Sequence, residues 1–188
     1  VMTVAGLVTI AVGLMLVSRM TVDARYLDLL WPLLIMSAGL GLCTAPATYA
    51  IIAETPESKH GVAAAVNDAA REIGAAMGIA VAGSVLAAGY TRHIQPALPQ
   101  LPEPARGPVS DSLAAALEIA AQAGPMAQPL VDYAKEAFVN GSSQATLTLA
   151  ILTAAAAVLL AILAPGTAPR DHKTTASSTA PAHRDSVG

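Results

Sequence analysis

Long runs of apolar residues without a charged side chain constrain the fold of this sequence more than any other feature. Three such windows cover residues 2–18, 29–53 and 146–164, and a fourth, residues 62–90, is apolar after a polar beginning. A helix needs about 20 mainly apolar residues to cross the hydrocarbon core of a bilayer. The windows therefore predict an all-α integral membrane fold, with four transmembrane helices in a membrane domain of residues 1–164.

The composition argues for the same class and against several others. Charged residues make up 12% of the chain and hydrophobic residues 54%, whereas soluble domains carry about 25% charged residues. No nucleophile and base stand at a catalytic spacing, and the four histidines are too scattered for a metal site. Six aromatic residues leave no stacking platform for nucleic acid. We expect neither an enzyme nor a cofactor, metal or nucleic-acid partner.

The long segment between the last two windows, residues 91–144, reads as an external loop. Five prolines between positions 96 and 108 interrupt any continuous helix there. Beyond them, Ser110 is a plausible N-cap of a short amphipathic helix, and Pro129 suits the first turn of another. Residues 165–188 are rich in Pro, Ser, Thr and Ala without periodicity, which predicts a disordered tail. Basic residues are nearly balanced between the two sides, so charge leaves the membrane orientation open.

The third window begins with polar side chains, Asn67, Asp68, Arg71 and Glu72. At about 1.5 Å per residue, residues 62–90 would form a helix of about 43 Å, longer than a hydrocarbon core of roughly 30 Å. If the surplus projects at the amino-terminal end, these groups lie near the interface, where a charge costs far less than at the centre. Asp68 and Arg71 are three residues apart, so their side chains can meet.

Small residues follow the polar group on the same helical face. Asn67, Arg71, Gly74 and Gly78 form one stripe, and the two glycines make a GxxxG pair. In lipid, such residues allow close approach between helix backbones. The stripe predicts a face that packs against protein, either as a static contact or as part of a moving interface.

The second window carries its own small and polar positions. Gly39 and Gly41 allow close helix packing, and Pro46 predicts a kink because it removes a backbone hydrogen bond. Three nearby side chains either satisfy the freed carbonyl or line a cavity: Thr44, Thr48 and Tyr49.

The order of these features resembles the late region of the 14-span drug/proton antiporters of the major facilitator superfamily. In that family a Gly-rich span precedes a short loop with Pro and Gly, then a helix with Asn, Arg and spaced small residues. The matching positions here are Gly39, Gly41, Pro56, Gly61, Ala63, Asn67, Arg71, Gly74, Gly78 and Ala80. Asp68 and Glu72 depart from the pattern, which has neutral or amide residues there more often.

The resemblance implies the last four transmembrane helices of a major-facilitator-type bundle, with residues 56–61 and the tail cytoplasmic and residues 91–144 outside. It implies a multi-pass protein of the bacterial cytoplasmic membrane that exports drugs or other amphipathic small molecules on a proton gradient. Its partners would be membrane lipid, the substrate and the missing amino-terminal spans, which makes the chain a carboxy-terminal fragment. The polar residues 67, 68, 71 and 72 would then be candidates for gating. The alternative is a stand-alone four-span scaffold or accessory subunit; a soluble Ala-rich helical enzyme is disfavoured by the uncharged window 146–164.

Overall fold

The computed structural model describes residues 2–163, and these residues form helices and turns without a β-strand. The predicted tail, residues 165–188, lies outside the described residues. The six α-helices and three short 3₁₀ helices follow this order: α1 Met2–Val17, α2 Tyr26–Ala53, 3₁₀ Glu57–Lys59, α3 His60–Ile94, 3₁₀ Gln95–Gln100, α4 Glu103–Asp111, α5 Leu113–Ala123, 3₁₀ Pro125–Ala127 and α6 Gln128–Leu163.

Three of the predicted spans coincide with helices that are long and apolar enough to cross a membrane. They are α2, then α3 with its flanking 3₁₀ turns, and α6 with the turn before it. The helix in the first predicted window, α1, is apolar but has 16 residues, which is shorter than a typical span. The all-helical class predicted from the apolar windows is confirmed for the described residues.

Helix bounds differ from the predicted ones where the sequence offers no strong breaker. The helix that starts at Gln128 runs without interruption through the fourth window, so residues 128–144 belong to α6 and not to a loop. Pro129 occupies its first turn, where a missing N–H costs nothing, and no later proline interrupts the helix. Ser112, and not Ser110, caps α5, because its Oγ accepts a hydrogen bond from the Ala114 N–H at 3.2 Å.

The long helices pack in a row, in the order α2, α1, α6, α3, and α2 makes only slight contact with α3. Glycines bring α1 and α2 together. A Cβ atom on Gly6 would lie 2.7 Å from the Gly39 carbonyl oxygen, and one on Gly39 would lie 2.8 Å from the Gly6 oxygen. The half-buried Cys43 thiol, in the same contact, donates to the Thr3 carbonyl at 3.3 Å. On the other side of α1, the Ser143 hydroxyl of α6 donates to the Ser18 carbonyl.

A compact helical cap closes one end of the row. We use this name for residues 95–127 with the adjoining ends of α3 and α6, residues 89–94 and 128–145. Its buried apolar side chains form one cluster: Tyr90, Ile94, Val109, Ala116, Ala134 and Ala137. Of the two short helices predicted from the amphipathic pattern, one is α5 and the other is the beginning of α6, whereas α4 lies in the proline-rich stretch and was not predicted.

Candidate functional site: the polar end of helix α3

The predicted gating residues all lie on the first turns of α3, at the end away from the helical cap. Asp68, Arg71 and Glu72 are exposed, and Asn67 is half-buried. The Arg71 guanidinium lies 3.8 Å from the Asp68 carboxylate, so the contact expected from their spacing is present. Both side chains are about two-thirds exposed or more (66% and 72%). An ion pair this exposed stabilises a helix by less than about 1 kcal/mol.

The connection from α2 to α3 is closed by its own hydrogen bonds. The His60 ring atom Nε2 bonds the Thr55 carbonyl oxygen at 2.8 Å, so this nitrogen is the one that carries a proton. The Thr55 hydroxyl donates in turn to the Ile51 carbonyl at 2.6 Å. Neither residue was among the predicted site residues, because a histidine in a short polar loop has no distinctive sequence signal. Together they fix the point at which α3 begins.

Below the helical cap, the glycine-bearing face of α3 has no neighbour in the described part of the chain. A Cβ atom placed on Gly74 or Gly78 would meet nothing within 4 Å. This face is continuous with the one that contacts α6 at the other end, because Gly89 follows Arg71 by 18 residues, or about five helical turns. The apolar side chain of Met77, on the flank of this stripe, is 66% exposed, and Ile73 on the other side of the helix is 62% exposed.

The side of α6 that faces α3 is also exposed in this region. On α6, Leu159 follows Gly141 by the same number of residues, so it projects from the side of the helix that touches α3. Leu159 is nevertheless 58% exposed, and Leu152 on the same side is 52% exposed. α3 therefore does not cover these two leucines, which indicates looser packing of α3 and α6 beyond their crossing at Gly89 and Gly141. We call the open space between residues 67–78 of α3 and residues 152–163 of α6 the α3–α6 cleft.

The crossing itself is tight. A Cβ atom on Gly89 would lie 2.7 Å from the Gly141 Cα, and one on Gly141 would lie 2.7 Å from the Leu86 carbonyl oxygen. Only glycine fits at either position without moving a backbone. The GxxxG pair at Gly74 and Gly78 drew attention in the sequence, whereas Gly89 belongs to no such pair. Gly141 lies between Ala137 and Ala145 in a small-xxx-small pattern, which was not among the predicted packing positions.

The predicted positions on α2 lie apart from this contact. Gly39 packs on α1, whereas a Cβ atom added to Gly41 would meet nothing within 4 Å. The Thr44 hydroxyl donates to the Leu40 carbonyl at 2.9 Å, so it does not satisfy the Leu42 carbonyl that Pro46 deprives of its N–H partner. Thr48 is half-buried, and Tyr49 is 76% exposed. Cavity lining by these three side chains stays a prediction.

A separate groove runs between α1 and α6. It encloses about 380 Å³ and is lined by apolar side chains alone, among them Val4, Val8, Met15, Leu147, Ile151 and Val158. Such a surface can accept hydrocarbon or another apolar helix, and it offers no group for chemistry. Among the described residues, no three His, Cys, Asp or Glu side chains converge on a possible metal position.

Comparison with known proteins gives two informative relatives. Multidrug efflux pump LfrA of Mycolicibacterium smegmatis is 28% identical over 160 residues, which are 85% of this chain and 32% of that protein. Multidrug resistance protein Stp of Mycobacterium tuberculosis is 37% identical over 68 residues, 36% of this chain and 13% of that protein. No protein-family model and no solved structure matches the chain. The resemblance to multidrug efflux transporters is confirmed, and the chain spans about a third of the length of LfrA.

Proposed function

We propose that this chain, a relative of multidrug efflux pumps, forms the last membrane helices of a proton-coupled exporter of drugs or other amphipathic small molecules. The observation that carries the proposal is the likeness to LfrA, which extends over 85% of the chain. The three long apolar helices agree with it, since they suit a multi-pass protein of the bacterial cytoplasmic membrane. The relatives are transporters, so we expect no catalytic residues.

The open face of α3 also supports the proposal. Met77 is 66% exposed, and a Cβ atom added to the nearby Gly74 or Gly78 would meet nothing within 4 Å in the described residues. A helix with this pattern gains stability when another helix packs closely on its small residues. Since LfrA is about three times as long as the matched region, we propose that earlier spans of a longer transporter cover this face.

In this proposal the polar end of α3 takes part in switching between inward- and outward-facing states. Asp68 and Arg71 form an ion pair on an exposed helix end, with Asn67 and Glu72 beside them. An exposed pair is weak enough to exchange partners at little cost, which suits a contact that must form in one state and open in another. The short turn that His60 and Thr55 close would lie at the cytoplasmic surface, as the resemblance to the antiporter family implies.

Transport in everted membrane vesicles tests the function. The native gene product is expressed in a bacterial host that lacks its own drug efflux pumps, and the vesicles are energised so that protons accumulate inside them. We expect accumulation of a fluorescent cationic dye, and partial collapse of the proton gradient when the dye is added. A protonophore control should abolish both signals. Dye accumulation that persists with the protonophore would contradict proton coupling, and no accumulation in vesicles that hold the protein would contradict export.

A second candidate function is a membrane scaffold without transport activity. The observation that favours it is the same open stripe, because a second copy of the chain could cover Gly74 and Gly78. A Gly78→Cys variant in a Cys43→Ala background discriminates the two. Rapid disulfide-linked dimers at low expression would favour the scaffold, whereas a monomeric product that accumulates dye would favour the transporter.

A further inference from the structure

The helical cap joins α3 to α4 through carbonyl groups that α4 cannot satisfy itself. The last carbonyls of a helix lack N–H partners within that helix. At the end of α4, the Tyr90 hydroxyl of α3 donates to the Val109 carbonyl at 2.9 Å, and the Thr91 hydroxyl donates to the Ser110 carbonyl at 3.4 Å. Tyr90 is 3% exposed and Val109 is fully buried, so water cannot replace the first of these bonds.

The connection continues from α4 to α6 and closes a ring. Helix α5 packs on both α4 and α6. Ala116 of α5 and Ala134 and Ala137 of α6 are buried in the same cluster as Tyr90. The ring is completed where α3 meets α6 directly, at Gly89 and Gly141. Two helices held both by a direct backbone contact and by a packed bridge have little freedom to change their crossing angle.

We propose that the helical cap fixes the crossing of α3 and α6, and that Tyr90 is the positioning residue that holds α3 in this ring. The α3–α6 cleft then keeps one width throughout the transport cycle. The polar end of α3 changes its contacts with spans outside this chain, and not with α6. The statement about the transport cycle rests on the proposed function. The fixed crossing of α3 and α6 does not, because it depends only on contacts within this chain.

The distance along α3 from the crossing to the polar end is long enough for a small change of crossing angle to be measured. Ile73 lies 16 residues before Gly89, which is about 24 Å along the helix. A change of crossing angle at the helical cap is therefore amplified across the cleft. Spin labels at Ile73→Cys and Leu159→Cys, both exposed positions, report the separation of these parts of α3 and α6 in a Cys43→Ala background.

Pulsed electron–electron double resonance on the native gene product in lipid nanodiscs tests the proposal. We expect one narrow distance distribution, unchanged between acidic and alkaline buffer and unchanged by a fluorescent cationic dye. The Tyr90→Phe/Thr91→Val double variant keeps both side-chain shapes and removes both hydroxyls. It should raise the population at longer distances about five-fold, the change expected for a loss of roughly 1 kcal/mol. Gly83→Ala, where a Cβ meets nothing within 4 Å, is the matched control and should leave the distribution unchanged.

Two results would overturn the proposal. One is a pair of distances in the unmodified sequence that exchange with pH or dye, since α3 would then pivot against α6. The other is a double variant that folds and gives the same distribution as the protein with both hydroxyls. The distances are read whether or not the protein exports the dye, so a single fixed distance without transport would refute the proposed function and leave the fixed crossing intact.

Discussion

The two ends of α3 differ in almost every physical respect. At the helical cap, Gly89 and Tyr90 are buried against α6 and α4, and the polar hydroxyl of Tyr90 has a buried acceptor. At the other end, Arg71 and Glu72 are exposed, and Gly78 has no neighbour within contact distance of an added Cβ. One helix therefore joins a region that is packed against other helices to a region that is largely exposed in the described part of the chain.

Stability and function are therefore expected to depend on opposite ends of α3. Close contacts between backbones and buried hydrogen bonds resist substitution, because neither can be replaced by solvent or lipid. An exposed polar helix end contributes little to stability and is free to change its contacts. Substitutions near the helical cap should thus lower the free energy of unfolding, and substitutions at the polar end should alter activity while stability is kept.

The largest effect is expected for Gly141→Leu. Even a Cβ at this position would lie 2.7 Å from the Leu86 carbonyl and 2.9 Å from the Tyr90 nitrogen, so the larger side chain must push the two helices apart. Overpacking of this kind costs typically about 1–3 kcal/mol. Thermal unfolding in detergent should show a clear fall in midpoint. Gly83→Leu on α3, with open space around it, should change the midpoint far less; equal falls would contradict the assigned crossing.

A somewhat smaller effect is expected for Gly39→Ala, at the contact of α1 with α2. Its Cβ would lie 2.8 Å from the Gly6 oxygen and 2.9 Å from the Ile10 nitrogen. The neighbouring Gly41→Ala is a close control, because it lies in the same helix and its Cβ would meet nothing within 4 Å among the described residues. We expect the unfolding midpoint to fall for position 39, and to rise slightly or stay constant for position 41, where alanine favours the helix. A reversed order would show that α1 does not pack on this face.

Much of the helical framework could be predicted from hydropathy. The uncharged window 29–53 lies within α2, and the apolar window 62–90 lies within α3, because a long apolar helix satisfies its backbone hydrogen bonds internally wherever it lies. The extension of α6 back to Gln128 was not predicted. Its first half is amphipathic and its second half apolar, so the change of pattern suggested two elements although nothing in the backbone ends the helix.

The tertiary contacts were harder to foresee. GxxxG marks Gly74 and Gly78, yet the crossing within this chain uses Gly89 and Gly141, which are far apart in sequence. A single glycine in an apolar helix carries no signal of its partner. The hydrogen bond from Tyr90 to Val109 was equally hidden, because it depends on α4 ending beside α3. The gating role of the polar residues on α3 stays a prediction.

A modest effect is expected for Tyr90→Phe, which keeps the ring and removes one hydroxyl. The Val109 carbonyl then loses its buried donor, at a cost of about 1 kcal/mol. The unfolding midpoint should fall less than for Gly141→Leu. Tyr133→Phe, a tyrosine on α6 that is 38% exposed, is the control and should leave the midpoint nearly unchanged. Equal midpoints for the two variants would show that the hydroxyl of Tyr90 adds nothing to the helical cap.

The smallest effect on stability is expected for Arg71→Ala, together with a large effect on transport. The guanidinium is exposed and 3.8 Å from Asp68, so its loss should change the free energy of unfolding by less than about 0.5 kcal/mol. Dye export by the native gene product should nevertheless fall sharply, because the switching contact loses its cation. Arg71→Lys, which keeps the charge, should retain part of the export, whereas Arg19→Ala, at an exposed position outside the helical cap, serves as the control for loss of one arginine. Unchanged export by Arg71→Ala at normal expression would show that the polar end of α3 is only a solvated helix terminus without a role in transport. The two ends of α3 would then differ in packing alone.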